Sequence, residues 1–317
     1  MDATPLRLGT RGSLLALTQS RTVKSALESR GRTVVLEVIQ TTGDREQGSP
    51  LSQIGGKGLF TRELDLALLD GRVDFAVHSL KDLPTEAEPG LSLAAVPERE
   101  DARDVLIGPE GVAVSLGTLA AGARVGTSSL RRQALGRAFR PDLRVTDVRG
   151  NLDTRIAKVD RGEYDAIIVA AAGVRRLGLW ERVGEALERT SWPPAPGQGA
   201  LGLVARADDA DTIGALGELE HAPTRAAVTA ERALLAALGG GCQVPIGALG
   251  LPYESGLRLW GVVASPDGTR VVRADRTGRL GEPEALGVEV AGILAGRGAA
   301  DILASIPSSA VGRLSHP

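Results

Sequence analysis

The chain has 317 residues, enough for two or three domains at roughly 100–200 residues each. Apolar residues at 43% and charged residues at 24% are those of a globular protein, and no run approaches the roughly 18 apolar residues of a membrane span. A net charge of −2 with 3% aromatic residues argues against nucleic-acid binding, which favours a basic face and stacking rings.

One cysteine, Cys242, excludes an internal disulfide, and His78, His221 and His316 are too scattered to form a zinc site with it, so no metal is expected. Met1 to Pro5 lack a basic flank leading into an apolar core, so no secretory signal is read and a cytoplasmic protein is expected. Lysine occurs only at 24, 57, 81 and 158, and all other basic residues are arginines. Arginines gathered in particular loops suit a small polycarboxylate or phosphate.

In chain order, Leu6 to Gly9 reads as a strand, Thr10 to Ser13 as a turn, and Ala16, Ser20, Val23 and Leu27 as one face of a helix. A strand follows at Val34 to Ile39, and Phe60, Leu64 and Leu68 recur at helical spacing. Gly71 to Asp74 then leads into the apolar strand Phe75 to Val77 and a polar turn, His78 to Pro84. This alternation predicts parallel sheets.

The charged stretch Pro97 to Asp104 interrupts the pattern, after which its grammar returns. Val125-Gly126-Thr127-Ser128-Ser129-Leu130 echoes Leu8 to Leu14, and Gly162 to Val169 echoes Gly71 to Val77, so two similar α/β domains are expected. The Pro/Gly-rich segment Trp192 to Gly199 marks the return between them. From about residue 219 the style changes to a helix stopped by Gly239 to Gly241, a hairpin around Ser265 to Thr269, and helical patterning from Glu282 to Ala304. The expected division is residues 1–100 with 198–218, residues 101–197, and a smaller α+β domain at 219–317.

Each α/β half should carry its ligand crevice beyond the carboxyl ends of its strands. In the second half, Thr127, Ser128 and Ser129 open a helix whose free N–H groups, with Arg131 and Arg132 one turn in, form an anion site; an ordinary serine cap with solvated arginines fits the same residues. Arg149, Arg155 and Arg176 lie at further strand ends, while Arg11 and Ser13 occupy the matching turn of the first half, with Gln19 in the helix behind. Ile54 to Phe60 lacks the full phosphate-loop pattern, with Gly58 where a serine or threonine should follow Lys57, and reads as a lid or a plain surface turn. Asp82, beside Lys81, fits either a carboxylate opposite a developing cation or a turn aspartate. Cys242, after three glycines, fits either a projecting thiol or a small core residue.

Taken together, these segments resemble the porphobilinogen deaminases, also called hydroxymethylbilane synthases, over nearly the whole chain. The resemblance rests on Gly9 to Ser13, Gly55 to Phe60, Val77 to Pro84, Glu98 to Asp101, Gly126 to Gln133, Arg149 to Asn151, Pro196 to Ala200 and Gly240 to Gly247.

It implies two α/β domains like the lobes of periplasmic binding proteins around a cleft, plus a smaller α+β C-terminal domain. It further implies a dipyrromethane cofactor joined by a thioether to Cys242, and stepwise addition of four porphobilinogens with loss of ammonia before hydrolytic release of the linear product. Asp82 would be catalytic. Ser79, Lys81, Thr127, Ser128, Ser129, Arg131 and Arg132 would hold the cofactor. Arg11, Ser13, Gln19, Arg149, Arg155 and Arg176 would serve the incoming pyrrole and elongation, and Lys57 and Phe60 the lid. A monomer without nucleic-acid or membrane partners is expected. Gln53 departs from the lysine common before the lid glycines, and Leu14 from a common proline. From another class, a non-catalytic carboxylate-binding module would suit the two-lobed architecture; Cys242 in its glycine loop favours the enzyme.

Overall fold

A computed structural model describes residues 4–40, 61–240 and 244–306. The first part of the chain forms β1 (Leu6–Thr10), α1 (Leu14–Glu28), β2 (Val34–Val38), α2 (Arg62–Leu69), β3 (Phe75–Ser79) and β4 (Leu91–Ala95). Next come β5 (Asp104–Ile107), β6 (Arg124–Gly126), α3 (Leu130–Phe139), β7 (Arg144–Thr146), α4 (Leu152–Asp160), β8 (Ala166–Ala170), α5 (Ala171–Arg176) and β9 (Val183–Ala186). The remainder holds β10 (Leu201–Arg206), α6 (Ala210–Gly217), α7 (Ala222–Ala237), β11 (Ile246–Tyr253), β12 (Gly256–Ala264), β13 (Val271–Arg279), α8 (Pro283–Gly296) and α9 (Ala299–Ala304).

These elements form two compact units, Met1–Glu100 with Ala200–Arg225, and Asp101–Gly199 with Ala226–Pro317. The first contains a five-stranded sheet of order β2-β1-β3-β10-β4, in which β1 runs parallel to β2 and β3 while β10 is antiparallel to both of its neighbours. Its central strand β3 is covered on both faces, which is why it opens as the apolar run Phe75 to Val77. Leu8, Phe75, Val77 and Leu203 pack with Val23 and Leu27 of α1, while Ala76 and Val204, pointing the other way along the pleat, pack with Leu64 and Leu68 of α2.

In the second unit the five-stranded sheet has order β7-β6-β8-β5-β9, with β6 parallel to β7 and β8 and with β5 antiparallel to its neighbours. Its pattern of strand senses repeats that of the first sheet. The echo seen in the sequence has a physical counterpart: Gly71 and Gly162 both take positive φ (67° and 73°) and close the turn before the third strand of each sheet. Asp74 then pairs with Arg7 at 2.6 Å, and Asp165 with Arg124 at 3.2 Å, each fastening that turn to the sheet's leading strand.

The same unit holds an antiparallel sheet, β11-β12-β13, whose Leu259 and Val263 share a core with Leu234 of α7, Val290 and Leu294 of α8 and Ile302 of α9. The hairpin read at Ser265 to Thr269 is formed: Gly268 (φ 78°) donates to Ser265 O and Ser265 N to Arg270 O. On its other face, Val262 and Ala264 join Leu135, Val145 and the fully buried Trp192 in a core shared with the second five-stranded sheet.

Candidate functional site

The sequence-predicted residues of the first unit gather where β1 and β3 end. Ser13 caps α1 by accepting from Ala16 N at 3.3 Å, which fixes the direction in which the helix leaves the turn. One turn in, Gln19 is buried at 4% exposure, and its Nε2 donates to Ser79 Oγ at the end of β3. The Gln19 amide is therefore an internal tie between α1 and β3.

His78 sits beside it at 6% exposure, and its Nε2 has no hydrogen-bond partner among the described residues. Burial, with the positive charge of Arg11 nearby, brings its pKa down to about 4, so the ring is neutral at physiological pH. The chain then turns through a 3-10 segment, Leu80–Asp82, closed by Leu83 N donating to Leu80 O, with Leu80 N donating to Ala200 O beside β10. This presents Lys81 half-buried and Asp82 exposed.

In the second unit, α3 starts where β6 ends, and Ser129 caps it by accepting from Arg132 N at 3.4 Å. The cap reading of this serine is thus realised, but the solvated-arginine reading is not: Arg131 and Arg132 are 2% and 6% exposed. Both converge on Asp104, the wholly buried first residue of β5. Its Oδ1 accepts from Arg132 Nε (3.0 Å), Arg132 Nη2 (2.8 Å) and Gln198 Nε2 (2.8 Å). Its Oδ2 accepts from Trp192 Nε1 (2.9 Å) and lies 2.8 Å from Arg131 Nη1. Burial alone would raise the Asp104 carboxyl; the two guanidiniums overrule it and hold the group well below the usual carboxylate range. Arg131 is correspondingly pushed down by burial, against the pull of Asp104.

Around this cluster the strand-end loops are tied to one another. Ser128 Oγ donates to Val148 O at 2.6 Å, and Gln133 Nε2 donates to Thr127 O and Asp147 Oδ1, so the Thr127–Ser129 turn and the turn bearing Arg149 form one rigid edge. Ser128 is committed to that tie. Gly150 has φ 107°, and Arg155 Nε reaches back to its carbonyl at 2.7 Å. Arg149 is half-buried, and Arg176 Nη2 donates to Gly199 O at 2.7 Å.

Cys242, Lys57, Phe60 and Gln53 lie outside the described residues. Asp104, Trp192 and Gln198 are linked in a way that motif spacing does not announce. The available signal was the position of Asp104 directly before the apolar run Val105-Leu106-Ile107: a carboxylate entering a buried strand calls for a buried cation.

Two cations against one carboxylate leave the cluster with a positive excess, and Arg131 Nε and Nη2 are buried with no hydrogen-bond partner among the described residues. Such a donor pair fits a carboxylate-bearing group. Among the described residues there is no group of three or more His, Cys, Asp or Glu that could hold a metal ion, and no helix is long and apolar enough to cross a membrane.

Residues 6–214 match the family model described as porphobilinogen deaminase, dipyromethane cofactor binding domain, and residues 225–295 match the porphobilinogen deaminase C-terminal domain. The porphobilinogen deaminase of Desulforudis audaxviator is 52% identical over 305 residues, which is 96% of this chain and 98% of that protein. That of Roseiflexus castenholzii is 48% identical over 301 residues, 94% and 98% of the two chains. Among solved structures, the methionine-binding protein MetQ aligns with 68% of this chain and 89% of its own at a TM-score of 0.44 and 10% identity. The periplasmic VFT2 domain of Bordetella pertussis BvgS aligns with 68% and 86% at 0.42 and 15%.

Proposed function

The chain belongs to the porphobilinogen deaminase (hydroxymethylbilane synthase) family, transferases of tetrapyrrole biosynthesis, and on that footing we propose a division of labour among its residues. Its reaction is the head-to-tail joining of four porphobilinogens with loss of ammonia, followed by hydrolytic release of the linear tetrapyrrole. Cys242 holds the dipyrromethane through a thioether, and that group, when bound, supplies the pyrrole end on which the product grows.

The exposed Asp82 carboxylate faces the positive charge that develops on a porphobilinogen ring as ammonia departs, and it moves a proton at the reacting end. Lys81, Ser79, Thr127, Ser128, Ser129, Arg131 and Arg132 hold the acetate and propionate groups of the primer, and the hydrogen bonds of Ser128 and Arg132 also keep their loop in place. Arg11, Ser13, Arg149, Arg155 and Arg176 receive the carboxylates of the incoming pyrrole; Gln19 supports them from behind, and Lys57 and Phe60 cover the site. Bidentate guanidinium pairing suits a substrate that brings two carboxylates per ring. The three sheets support a division into three domains, with the catalytic aspartate and Arg11 in the first, the other arginines in the second and the cysteine in the third. The protein works as a cytoplasmic monomer.

The observation that carries this reading is the donor edge of Arg131, buried in a positively charged cluster without a hydrogen-bond partner among the described residues. Intact mass of the purified chain tests it. The expected result is an excess matching two linked pyrrole units, absent from Cys242→Ser, whose hydroxyl lacks the nucleophilicity of a thiolate. An adduct that survives this substitution overturns the assignment of Cys242.

A further inference from the structure

β3 alternates between two environments. Val77 and Ser79 face α1, Val77 in the core that holds Val23 and Leu27, and Ser79 through its bond to Gln19. Ala76 faces the other way, into the core that holds Leu64 and Leu68 of α2, and the pleat puts His78 on that side too. Opposite His78 on β10 stands Gly202, which brings no side chain. A Cβ there would lie 2.9 Å from Leu83 Cδ1 and 3.0 Å from both Leu80 Cδ1 and Leu93 Cδ1, so leucines crowd this side of the pair. Packing alone would be served by an apolar side chain.

A polar ring in such a place is costly unless it has a hydrogen-bond partner. His78 is 6% exposed, and its Nε2 is buried without a partner among the described residues. The polar neighbour comes from β1. Gly9 pairs with Ala76 in parallel register, and a Cβ on Gly9 would stand 3.1 Å from Leu64 Cδ2, so both face α2. Two positions on along each chain are Arg11, in the turn that ends β1, and His78, and the positive charge of Arg11 acts on the ring, as that register requires. Both stand at the carboxyl ends of their strands, where an open α/β sheet takes its ligand. A neutral imidazole always carries one N–H, and beside a guanidinium the group that satisfies both is an anion.

We infer that His78 is a further substrate-binding residue, whose Nε2–H donates to the carboxylate of the incoming porphobilinogen that pairs with Arg11. The inference deepens the reading given above and rests on its assignment of Arg11. It gives one acid group of the pyrrole a neutral donor beside the charged one, which adds direction without adding charge.

Steady-state kinetics of the full-length, primer-loaded chain with porphobilinogen test this, with thermal midpoints read alongside at pH 7. His78→Leu suits the apolar surroundings but has no donor, so the midpoint should stay within about 2 °C of the parent or rise. KM for porphobilinogen should rise about 10-fold, with kcat within about 2-fold. His78→Gln, which carries an amide N–H at similar reach, should recover most of that loss. Porphobilinogen with one acid group converted to its amide supplies a second arm. For the acid that meets the ring, the KM penalties of the amide and of His78→Leu should overlap rather than multiply.

A His78→Leu chain with the KM of the parent overturns the inference. So does one that loses stability and kcat with KM unmoved, the pattern of a purely structural ring. Should the leucine variant not fold, nitrogen-15 spectra of the histidine rings decide, with the His78 signals assigned by their absence from His78→Gln. In the Asp82→Asn chain, porphobilinogen should shift the His78 Nε2–H downfield; a signal that stays in place, or a ring protonated only at Nδ1, overturns the inference. A parent chain that neither carries the primer nor consumes porphobilinogen would instead refute the functional reading itself.

Discussion

Gln19 and Ser79, sixty positions apart, are joined by one hydrogen bond, Gln19 Nε2 donating to Ser79 Oγ at 2.9 Å. The bond fixes the helix that follows the Arg11 turn to the strand that leads into Lys81 and Asp82. A residue assigned to the substrate and one assigned to the primer are thereby a single mechanical unit.

That unit makes a prediction for paired substitution. Gln19→Ala and Ser79→Ala should each lower unfolding free energy by about 1 kcal/mol, and the double variant should cost about as much as either single one. Denaturant titration of the four proteins measures the coupling. Additive losses would show that the bond contributes nothing in solution.

Asp82 stands on an exposed turn whose backbone bonds do not involve its carboxylate, so Asp82→Asn should leave the thermal midpoint unchanged. Turnover of porphobilinogen should nevertheless fall by about 100-fold to 1000-fold, since a developing positive charge loses its counter-charge. Product assay and intact mass together check this: slow turnover with the primer mass intact is the expected pair of results. Near-normal product formation would move the role to another carboxylate.

His78 supplies a prediction with a defined pH window. In the unfolded chain the ring takes up a proton near pH 6.5, whereas in the fold it resists protonation down to about pH 4. Unfolding therefore binds a proton between these values, and stability falls as the pH is lowered through them, by about 3 kcal/mol at most. His78→Gln removes this component. Thermal midpoints from pH 7 to pH 4.5 should drop more steeply for the parent than for the variant, and parallel curves would mean that the folded ring titrates normally.

How far the fold could be read in advance differed from element to element, for physical reasons. Phe75 to Val77 and Ala166 to Val169 were visible because strands covered on both faces are unbroken apolar runs, and the edge strand Val34 to Val38 through its β-branched valines. The α1 face was visible because Ser20, Val23 and Leu27 keep helical spacing. By contrast the first residue of β5 was read as the end of a charged stretch, since Asp104 enters the core only by virtue of arginines 27 and 28 positions later. The apolar run that follows Asp104 signals a buried cation but not which residues supply it. The repeat was legible through its glycines and aspartates, yet the ion pairs that give those aspartates their purpose join residues 67 and 41 positions apart.

Within α8, two glycines offer opposite outcomes for the same substitution. A Cβ on Gly287 would stand 2.6 Å from Ala233 Cβ and 2.8 Å from Leu234 N of α7, so Gly287→Ala should destabilise the protein by about 2 kcal/mol through overpacking at the helix crossing. Gly292 has nothing within 4 Å of that position, and Gly292→Ala should stabilise by up to about 1 kcal/mol through helix propensity. Opposite shifts in midpoint confirm the close crossing; equal shifts would place the helices further apart.

The placement of β10 also dictates when the first unit can be completed during synthesis. Among the described residues β4 has no other strand partner in its sheet than β10, and β3 gains its second partner only from it. A nascent chain that has emerged as far as residue 100 therefore carries an unpaired β4 and a half-paired β3. It must carry them while the whole of β5 to β9 follows, at about 5–20 residues per second. The second five-stranded sheet, built from one uninterrupted stretch between residues 104 and 186, has all its strands first. The ribosome thus delivers the domains in reverse: the segment begun later can close earlier, and the exposed edge of β3 is the place where a chaperone, or a mispaired strand from a neighbouring nascent chain, has its opportunity.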